Sequence, residues 1–400
     1  MDLRRNCRYL IVDEVSMLDS SVSLSLHEQL TKIKSKPDCS LGGVNILFVG
    51  DFLQLPSVTR SDIYLPNKKQ TAAAHVLWRR LNAVDLLIQQ MRQANNPILG
   101  SLLSRLRIRN PTREDIETLK SRVGVPLPSP LNPASLVYIV RQNAVRSSIN
   151  SMRIKQVTQG QNLGIANCVA RIVKKTADMS YRAIYKIQQR PKNDTQDAIL
   201  ALIPACPLMV MQNQRSNISL VNGSVVEFVG FGPGLYQPQI ELDRNTITTE
   251  ISKPQIIFPP PYMLVRVLEG PGSTIKLPDM QEGVVPLEAI RFTFNECGRS
   301  VTPVQFLVTL GYAITDYKCQ GSTYKGSLVL NLKKPINGSS PAASPYIQLS
   351  RAQSLDQIHV LRPFDETELM TPLSNDLKAE LEWEKSMYEK TKDKFSVFLT

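Results

Sequence analysis

Two carboxylates stand next to each other at Asp13 and Glu14, directly after the apolar run Tyr9–Val12. A short apolar run that stops at an acid is typical of a buried parallel strand, and α/β sheets bind their ligands at the carboxyl ends of such strands. There, one carboxylate could hold a magnesium ion while the other orients a water molecule that attacks a phosphoryl group. An isolated acidic pair also occurs in solvated loops, and a loop is the commoner explanation for one match alone.

A second polar motif, GDFLQLP at residues 50–56, follows the next predicted strand at residues 44–49. The helical pattern of residues 20–36 joins the two strands into a strand–helix–strand unit. Gln54 is therefore expected in the same strand-end crevice as the acidic pair. Its neutral amide could hydrogen-bond a γ-phosphate or the attacking water. The alternative is a loop residue that caps its own turn.

Two arginines are candidates for stabilising charge on a transferred phosphoryl group. Arg92 and Arg351 both follow strong core patterns, and neither has an acidic residue at helical spacing. A guanidinium is planar and always charged, which suits a phosphoryl clamp, although a surface arginine is the alternative at each position. Residues 320–323 (QGST) offer an amide, a flexible backbone and two hydroxyls for phosphate contacts, or a helix N-cap.

Five motifs in chain order resemble those of the Pif-one (petite integration frequency) helicases, RecD-like members of helicase superfamily one. The similarity spans about residues 8–362, most of the chain. The matching segments are residues 10–17 (LIVDEVSM, motif II), 50–56 (GDFLQLP, motif III), 91–93 (MRQ, motif IV), 312–323 (YAITDYKCQGST, motif V) and 346–352 (YIQLSRA, motif VI). Residues 220–224 (LVNGS) look like the entry to the inserted Src-homology-3-like barrel of this family.

The resemblance implies an ATP-dependent DNA helicase that moves 5′ to 3′ and uses ATP and Mg2+, with roles in DNA repair, recombination and telomere maintenance. Its partners would be single-stranded and forked DNA. The protein would be a monomer and would act in the nucleus, with the mitochondrion as the alternative. The implied site residues are the magnesium ligand Asp13; the catalytic residues Glu14, Gln54, Arg92 and the arginine finger Arg351; the nucleotide-binding residues Asp13, Gln320 and Gly321; and the DNA-contacting residues Lys318, Ser322, Thr323, Arg141 and Asn143.

The elements that must position these residues are predicted to form an α/β fold with two RecA-like P-loop NTPase lobes. The first lobe is expected to be truncated at its N-terminus. The predicted domains are residues 1–95 (first lobe), 96–215 with 304–365 (second lobe), 216–303 (inserted barrel) and 366–400 (C-terminal helix). Period-two apolar patterning with many glycines and prolines predicts the short strands of the barrel.

Composition is consistent with a DNA-binding protein. The net charge of +12 favours a polyanionic partner, and sequence-independent contact with DNA is expected to be electrostatic. The run Arg105, Arg107 and Arg109 is a candidate for that contact, or else a solvated helix face. The tyrosines at 312, 317 and 324 are candidates for base stacking, or else core residues. Six widely spaced cysteines give no C-x-x-C pattern, and no apolar run approaches the roughly 20 residues that span a bilayer, so an intracellular protein without a membrane partner is expected.

One expected motif is not found. A superfamily-one helicase carries G-x-x-x-x-G-K-[ST] ahead of its acidic pair, and this chain contains no such sequence. The chain is therefore expected to be a fragment of a helicase, with apolar surface exposed beside Tyr9–Val12. The alternative is a catalytically inactive, single-stranded-DNA-binding remnant; an unrelated scaffold is a third, weaker hypothesis. Motif V also departs from the family, which has histidine and serine where this chain has Tyr317 and Cys319.

Overall fold

The computed structural model describes residues 6–66, 72–127, 136–161, 164–172, 199–232, 255–291, 294–296, 299–336 and 340–395. By its internal contacts the chain divides into two compact units. Unit 1 comprises Met1–Val125, Gln320–Lys325 and Leu332–Thr400, and unit 2 comprises Pro126–Cys319 and Gly326–Asn331. The domain boundaries given above stay a prediction.

The described helices alternate with short strands. The helices are α1 (Ser20–Lys34), α2 (Ala72–Trp78), α3 (Pro97–Arg107), α4 (Arg113–Ser121), α5 (Asn143–Gln161), α6 (Asp316–Cys319), α7 (Ser344–Leu349) and α8 (Asn375–Phe395). The strands are β1 (Tyr9–Val12), β2 (Asn45–Phe48), β3 (Leu136–Val140), β4 (Ala166–Val169), β5 (Arg171–Ile172), β6 (Ile199–Leu202), β7 (Pro207–Val210), β8 (Val225–Phe231), β9 (Gln255–Ile257), β10 (Tyr262–Val267), β11 (Val284–Arg291), β12 (Phe294–Glu296), β13 (Arg299–Val301), β14 (Pro303–Phe306), β15 (Val308–Leu310), β16 (Ala313–Thr315), β17 (Ser327–Leu330) and β18 (Ile358–Val360). No helix in these described ranges is both long and apolar enough to cross a membrane.

Unit 1 begins with the predicted strand–helix–strand unit. Strands β1 and β2 are parallel, with register from Tyr9 opposite Asn45 to Val12 opposite Phe48. The connecting helix α1 starts at the cap Asp19, whose carboxylate accepts a hydrogen bond from the Ser21 amide. The sequence predicts strands buried on both faces, and this is wrong for β1 and β2, whose burial alternates along each strand.

The open face of the two strands carries large apolar side chains. Tyr9 is 75% exposed, Ile11 66% and Leu47 58%. Successive side chains of a strand point to opposite faces, so these residues lie on the side that the rest of unit 1 does not cover. The apolar surface expected beside Tyr9–Val12 is therefore present in the structure.

The core of unit 1 is aromatic and includes the C-terminal helix. Phe52, Tyr64 and Trp78 pack together with nearly perpendicular rings. The indole Nε1 of Trp78 donates a hydrogen bond of 2.6 Å to Glu380 on α8, a residue with no exposed surface. Arg79 donates to the same carboxylate at 2.5 Å. The sequence predicts a helix over residues 366–394 that packs on the surface; helix α8 instead starts at Asn375 and buries Glu380.

Unit 2 contains a parallel sheet and an antiparallel one. Strand β3 lies between β16 and β17 and is parallel to both. Helix α5 carries buried Asn150, whose side chain donates to the Leu310 carbonyl at the end of β15 and accepts from the Ala313 amide at the start of β16, at 3.0 and 2.8 Å. One buried side chain thus satisfies a backbone group from each of the two sheets and fixes the helix beside the segment that joins them.

The antiparallel sheet of unit 2 has seven strands in the order β15-β7-β8-β10-β11-β14-β5. Its apolar face is centred on Phe228, Met263 and Phe306, none of which has exposed surface. The short strands predicted from period-two patterning are confirmed at β8, β10 and β11. The Src-homology-3-like barrel at residues 216–303 stays a prediction.

Candidate functional site

The acidic pair lies at the carboxyl end of β1, in a turn closed by its own side chain. The Glu14 amide donates to the Asp13 carboxylate at 2.8 Å, and Glu14 has a left-handed backbone with φ of 53°. The Val15 amide then donates to the Val49 carbonyl at the end of β2. A Cβ at Gly50 would lie 2.7 Å from the Val15 nitrogen, so only glycine allows this approach. The motif II and motif III loops thus start side by side.

The motif V segment meets the glutamate of this pair. The side-chain amide of Gln320 donates to the Glu14 carboxylate at 2.7 Å and lies 3.5 Å from the Ser16 hydroxyl. Gly321 has φ of +77°, and a Cβ there would come within 3.2 Å of the other Glu14 oxygen. Glu14 is half-buried by these contacts, whereas Asp13 remains exposed. A hydrogen bond from a neutral amide orients the carboxylate without neutralising its charge.

Both candidate arginines hold the same short segment. Arg92 donates to the Thr323 hydroxyl at 2.8 Å and to the Ser350 carbonyl at 3.0 Å. Arg351 is only 3% exposed and donates to the Ser322 carbonyl at 3.1 Å. Within unit 1, motif IV and motif VI therefore converge on motif V, next to the residue that contacts Glu14. The rigid guanidinium fork suits such multiple contacts.

The electrostatics of this region centre on Tyr346 of α7. Burial raises the pKa of its phenol, and the Asp51 carboxylate raises it further. The guanidiniums of Arg107, Arg351 and Arg92 act in the opposite direction. One half-buried phenol thus feels three cations at once. The carboxylate of Asp51 lies among the same cations, and the pKa of the phenol stays above its ordinary value.

Gln54 lies in a loop whose shape is set by Asp51. The Leu53 amide donates to the Asp51 carboxylate at 3.0 Å, and the Gln54 amide donates to the Asp51 carbonyl at 2.9 Å. Arg107 of α3 donates to both carboxylate oxygens at 2.9 Å. The Gln54 side chain is half-buried. A residue outside the five motifs therefore supports the motif III loop.

The arginine run of α3 does not form the solvated helix face considered above. Arg105 makes a bidentate pair with Asp115 at 2.7 Å, and Arg107 makes one with Asp51. Arg109 is 8% exposed, and burial lowers its pKa to about 10. Arg105 and Arg107 hold α3 against its neighbours in unit 1, and Arg109 is buried, so the use of this run as DNA contacts is not supported.

The remaining candidates lie in unit 2. Lys318 of α6 donates to the Asn222 side chain at 2.8 Å, which joins motif V to the LVNGS segment. Arg141 follows β3 and Asn143 starts α5, both half-buried. Tyr312, a candidate for base stacking, is a core residue with 2% exposure, and burial raises its pKa. That candidate role is wrong, because its ring is packed in the interior of unit 2.

The donor set at the strand end suits magnesium. The described residues contain no group of three or more histidine, cysteine, aspartate or glutamate side chains that could hold a metal ion. Mg2+ usually takes one or two carboxylates and completes its shell with water and substrate phosphates. Exposed Asp13, with Glu14 beside it, offers that kind of partial oxygen site. A metal that needs a complete protein cage, such as structural zinc, does not fit.

Comparison with solved structures shows which fold the chain shares. The chain superposes on a crystal structure of Pif1 helicase from Candida albicans with a TM-score of 0.68 and 20% identity, covering 96% of this chain and 78% of that one. It also superposes on Bacteroides Pif1 in complex with ADP-AlF3 and ssDNA, with a TM-score of 0.62 and 18% identity, covering 96% of this chain and 77% of that one. The predicted fold class, an α/β protein with two RecA-like lobes, is confirmed.

Sequence comparison points the same way. Residues 1–100 match the PIF1-like helicase family model. The chain is 24% identical to ATP-dependent DNA helicase RRM3 of Saccharomyces cerevisiae, over 92% of this chain and 53% of that protein. It is 33% identical to ATP-dependent DNA helicase PIF1 of Mus musculus, over 26% of this chain and 15% of that protein. The chain is thus similar to the PIF1-like helicases, and it spans about half the length of RRM3.

The structure assembles most of the predicted site residues within unit 1. Those joined by direct contacts are Glu14, Gln320, Gly321, Ser322, Thr323, Arg92 and Arg351. Their catalytic and binding roles stay predictions. Sequence reasoning gave Asp51 no separate role, although it lies inside motif III, and made Arg107 a candidate DNA contact. Local spacing gives no signal for their pairing, because the two residues are 56 positions apart.

Proposed function

We propose that this chain is the part of an ATP-dependent 5′-to-3′ DNA helicase that activates the attacking water and senses the γ-phosphate. The observation that carries the proposal is the contact between Glu14 and Gln320. It joins the strand-end carboxylates to a segment that two arginines hold from the other side. An acid, an amide and two guanidiniums at one place are the groups that phosphoryl transfer requires.

The roles of the residues follow from their chemistry. Glu14 accepts a proton from the attacking water, and Gln320 keeps its carboxylate in one orientation. Asp13, the more exposed acid, is the oxygen ligand for Mg2+. When bound, MgATP supplies the phosphoryl group and a cation that neutralises its charge. Gln54 reports the γ-phosphate, while Arg92 and Arg351 stabilise the negative charge that spreads over the phosphoryl oxygens.

DNA is the proposed partner, as single strands and forks bound by a monomer. The net charge of +12 supports a polyanionic ligand. Lys318, Ser322, Thr323, Arg141 and Asn143 are the proposed contacts. Contacts from charged and hydroxyl groups to phosphates would bind any sequence, which a translocating motor needs. DNA repair, recombination and telomere maintenance in the nucleus are the proposed setting.

Strand displacement by the native protein tests the proposal. The protein would be isolated from its own cells through a tag on this chain and given forks with a 5′ or a 3′ single-stranded tail. ATP and Mg2+ should drive unwinding of the 5′-tailed fork, and the 3′-tailed fork should remain duplex. Asp13→Asn should abolish unwinding, whereas Asp38→Asn, at an exposed position in the same unit, should not.

Two results of these experiments would contradict the proposal. Preference for the 3′-tailed fork would overturn the proposed direction. Salt-sensitive binding of single-stranded DNA by native protein that neither hydrolyses ATP nor unwinds either fork would favour the inactive remnant. The observation that supports this second function is that the 400 residues contain no G-x-x-x-x-G-K-[ST] motif.

A further inference from the structure

The Arg107–Asp51 pair has a geometry that a simple surface ion pair lacks. Arg107 Nε donates to one carboxylate oxygen and Nη2 donates to the other, both at 2.9 Å. The second oxygen also accepts the Leu53 amide at 3.0 Å. The Asp51 side chain is 15% exposed and that of Arg107 40%. Two parallel donors fix both the position and the plane of a carboxylate.

The plane of this carboxylate determines the path of the loop. Asp51 closes the turn twice, through its side chain to the Leu53 amide and through its carbonyl to the Gln54 amide. A short Asp side chain that bonds the backbone two residues later sets a specific turn. Both hydrogen bonds of Asp51 are thus made to the two residues that lead into the Gln54 side chain. Leu55, the next residue, is fully buried and anchors the far side.

Arg107 gains its own rigidity from α3. The buried face of that helix carries Leu99, Leu103 and Leu106, each at most 2% exposed. The helix begins at a capped N-terminus, where the Asn96 side chain accepts the Leu99 amide at 3.0 Å. The guanidinium thus projects from an element that is fixed by its core.

We propose that Arg107 is a positioning residue that holds Gln54 in place for the γ-phosphate, by locking the Asp51 carboxylate that shapes the motif III loop. This role rests on the proposed function of Gln54. Arg107 touches no reacting group in this account and acts only through Asp51. A lysine would keep the positive charge but could not fix the plane of the Asp51 carboxylate, so it should replace Arg107 poorly.

Arg105 gives a matched control on the same helix. Its side chain is also 40% exposed and also makes a bidentate pair, with Asp115, whose side chain is 5% exposed. Substituting Arg105 removes an equivalent ion pair without touching the motif III loop. Any difference between Arg105→Gln and Arg107→Gln therefore reports the loop and not the loss of a charge from α3.

Hydrogen exchange of the backbone amides, measured on the full chain without nucleotide, tests the coupling. In Arg107→Gln the amides of Leu53 and Gln54 should exchange at least about tenfold faster, since a charge-assisted hydrogen bond contributes that much to holding the turn. Arg107→Lys should give an intermediate increase, and Arg105→Gln should leave these amides unchanged. Equal exchange at Leu53 and Gln54 in wild type and in both Arg107 variants would overturn the inference.

The rate of ATP hydrolysis distinguishes failure of this inference from failure of the proposed role of Gln54. Arg107→Lys should lower kcat for ATP by about tenfold with little change in KM, because positioning acts on the reaction more than on nucleotide binding. A merely structural role would instead lower stability without this split. If Gln54→Ala leaves hydrolysis unchanged, the proposed role of Gln54 fails and takes the inference with it. If Gln54→Ala impairs hydrolysis but Arg107→Lys does not, only the inference fails.

Discussion

Glu384 of α8 should make the stability of unit 1 depend on pH in the neutral range. Burial raises the pKa of its carboxyl to about 7, and the negative charges of Glu380 and Asp51 add to this effect. The guanidiniums of Arg107 and Arg79 lower it in part. The net result is a carboxyl group that the folded protein prefers to keep protonated.

The direction and size of the effect follow from this shift. The folded state binds the proton more tightly than the unfolded chain, so its contribution to stability is present below pH 4.5 and is lost as pH rises toward about 7. A rise from 4.5 to about 7 corresponds to about 3 kcal/mol. Solvent contact of this half-buried side chain lowers the expected effect to about 1–2 kcal/mol.

Glutamine at this position keeps the side chain neutral at every pH. Glu384→Gln should therefore match wild type in free energy of unfolding near pH 4.5 and exceed it by about 1–2 kcal/mol at pH 8. Urea titration at several pH values, followed by tryptophan fluorescence, measures this difference. The chain has two tryptophans. Trp78 belongs to the aromatic core of unit 1, and Trp383 on α8 packs against it.

The control and the refuting result use the same helix. Glu382→Gln removes a carboxylate from an exposed neighbouring position, and its effect on unfolding should not change with pH. If Glu384→Gln differs from wild type by the same amount at pH 5 and at pH 8, the buried, proton-binding carboxyl inferred for Glu384 is wrong.

Glu380→Ala should lower the free energy of unfolding of unit 1 by about 2–3 kcal/mol, because it leaves the half-buried Arg79 guanidinium and the Trp78 indole N–H without their acceptor; a loss below about 1 kcal/mol in a urea titration would contradict this role of Glu380. Gly321→Ala should speed hydrogen exchange in the segment around it more than Gly124→Ala does, because both have positive φ but only the first would bring a Cβ within 3.2 Å of Glu14; equal effects would show that this contact does not matter. Ile11→Thr should reduce aggregation and dye binding by this chain while changing stability by less than about 0.5 kcal/mol, since Ile11 is 66% exposed; a clear loss of stability would mean that its face is covered.

Elements with a strong local pattern could be predicted from the sequence. Helix α3 has the bounds expected from its apolar spacing, because Asn96 caps it and proline occupies its first turn. Strand β1 ends directly before Asp13, and β2 ends at Phe48, three residues before Asp51. The family resemblance implied that the later motifs would lie at the same nucleotide site, and the contacts of Gln320, Arg92 and Arg351 agree with that.

Long-range pairing of charges could not be predicted. Glu380 and Trp78 are 302 positions apart, and nothing in the spacing of a charged helix distinguishes the one carboxylate that is buried. Arg105, Arg107 and Arg109 look alike in sequence, yet their partners differ completely in the structure. An arginine that pairs with a buried acid and an arginine in solvent have the same local signature, because the difference lies in the tertiary neighbours.

The central claim is tested most directly by the rate of DNA-stimulated ATP hydrolysis of the Glu14→Gln variant, isolated from its own cells like the wild type. Glutamine preserves the shape of the side chain and its contact with Gln320 but removes the base. The rate is expected to fall by at least about 100-fold, with the affinity for single-stranded DNA unchanged. Glu28→Gln, at a position in α1, serves as the matched control and should retain full activity. A Glu14→Gln protein that hydrolyses ATP at the wild-type rate would contradict the assignment of Glu14 to the attacking water.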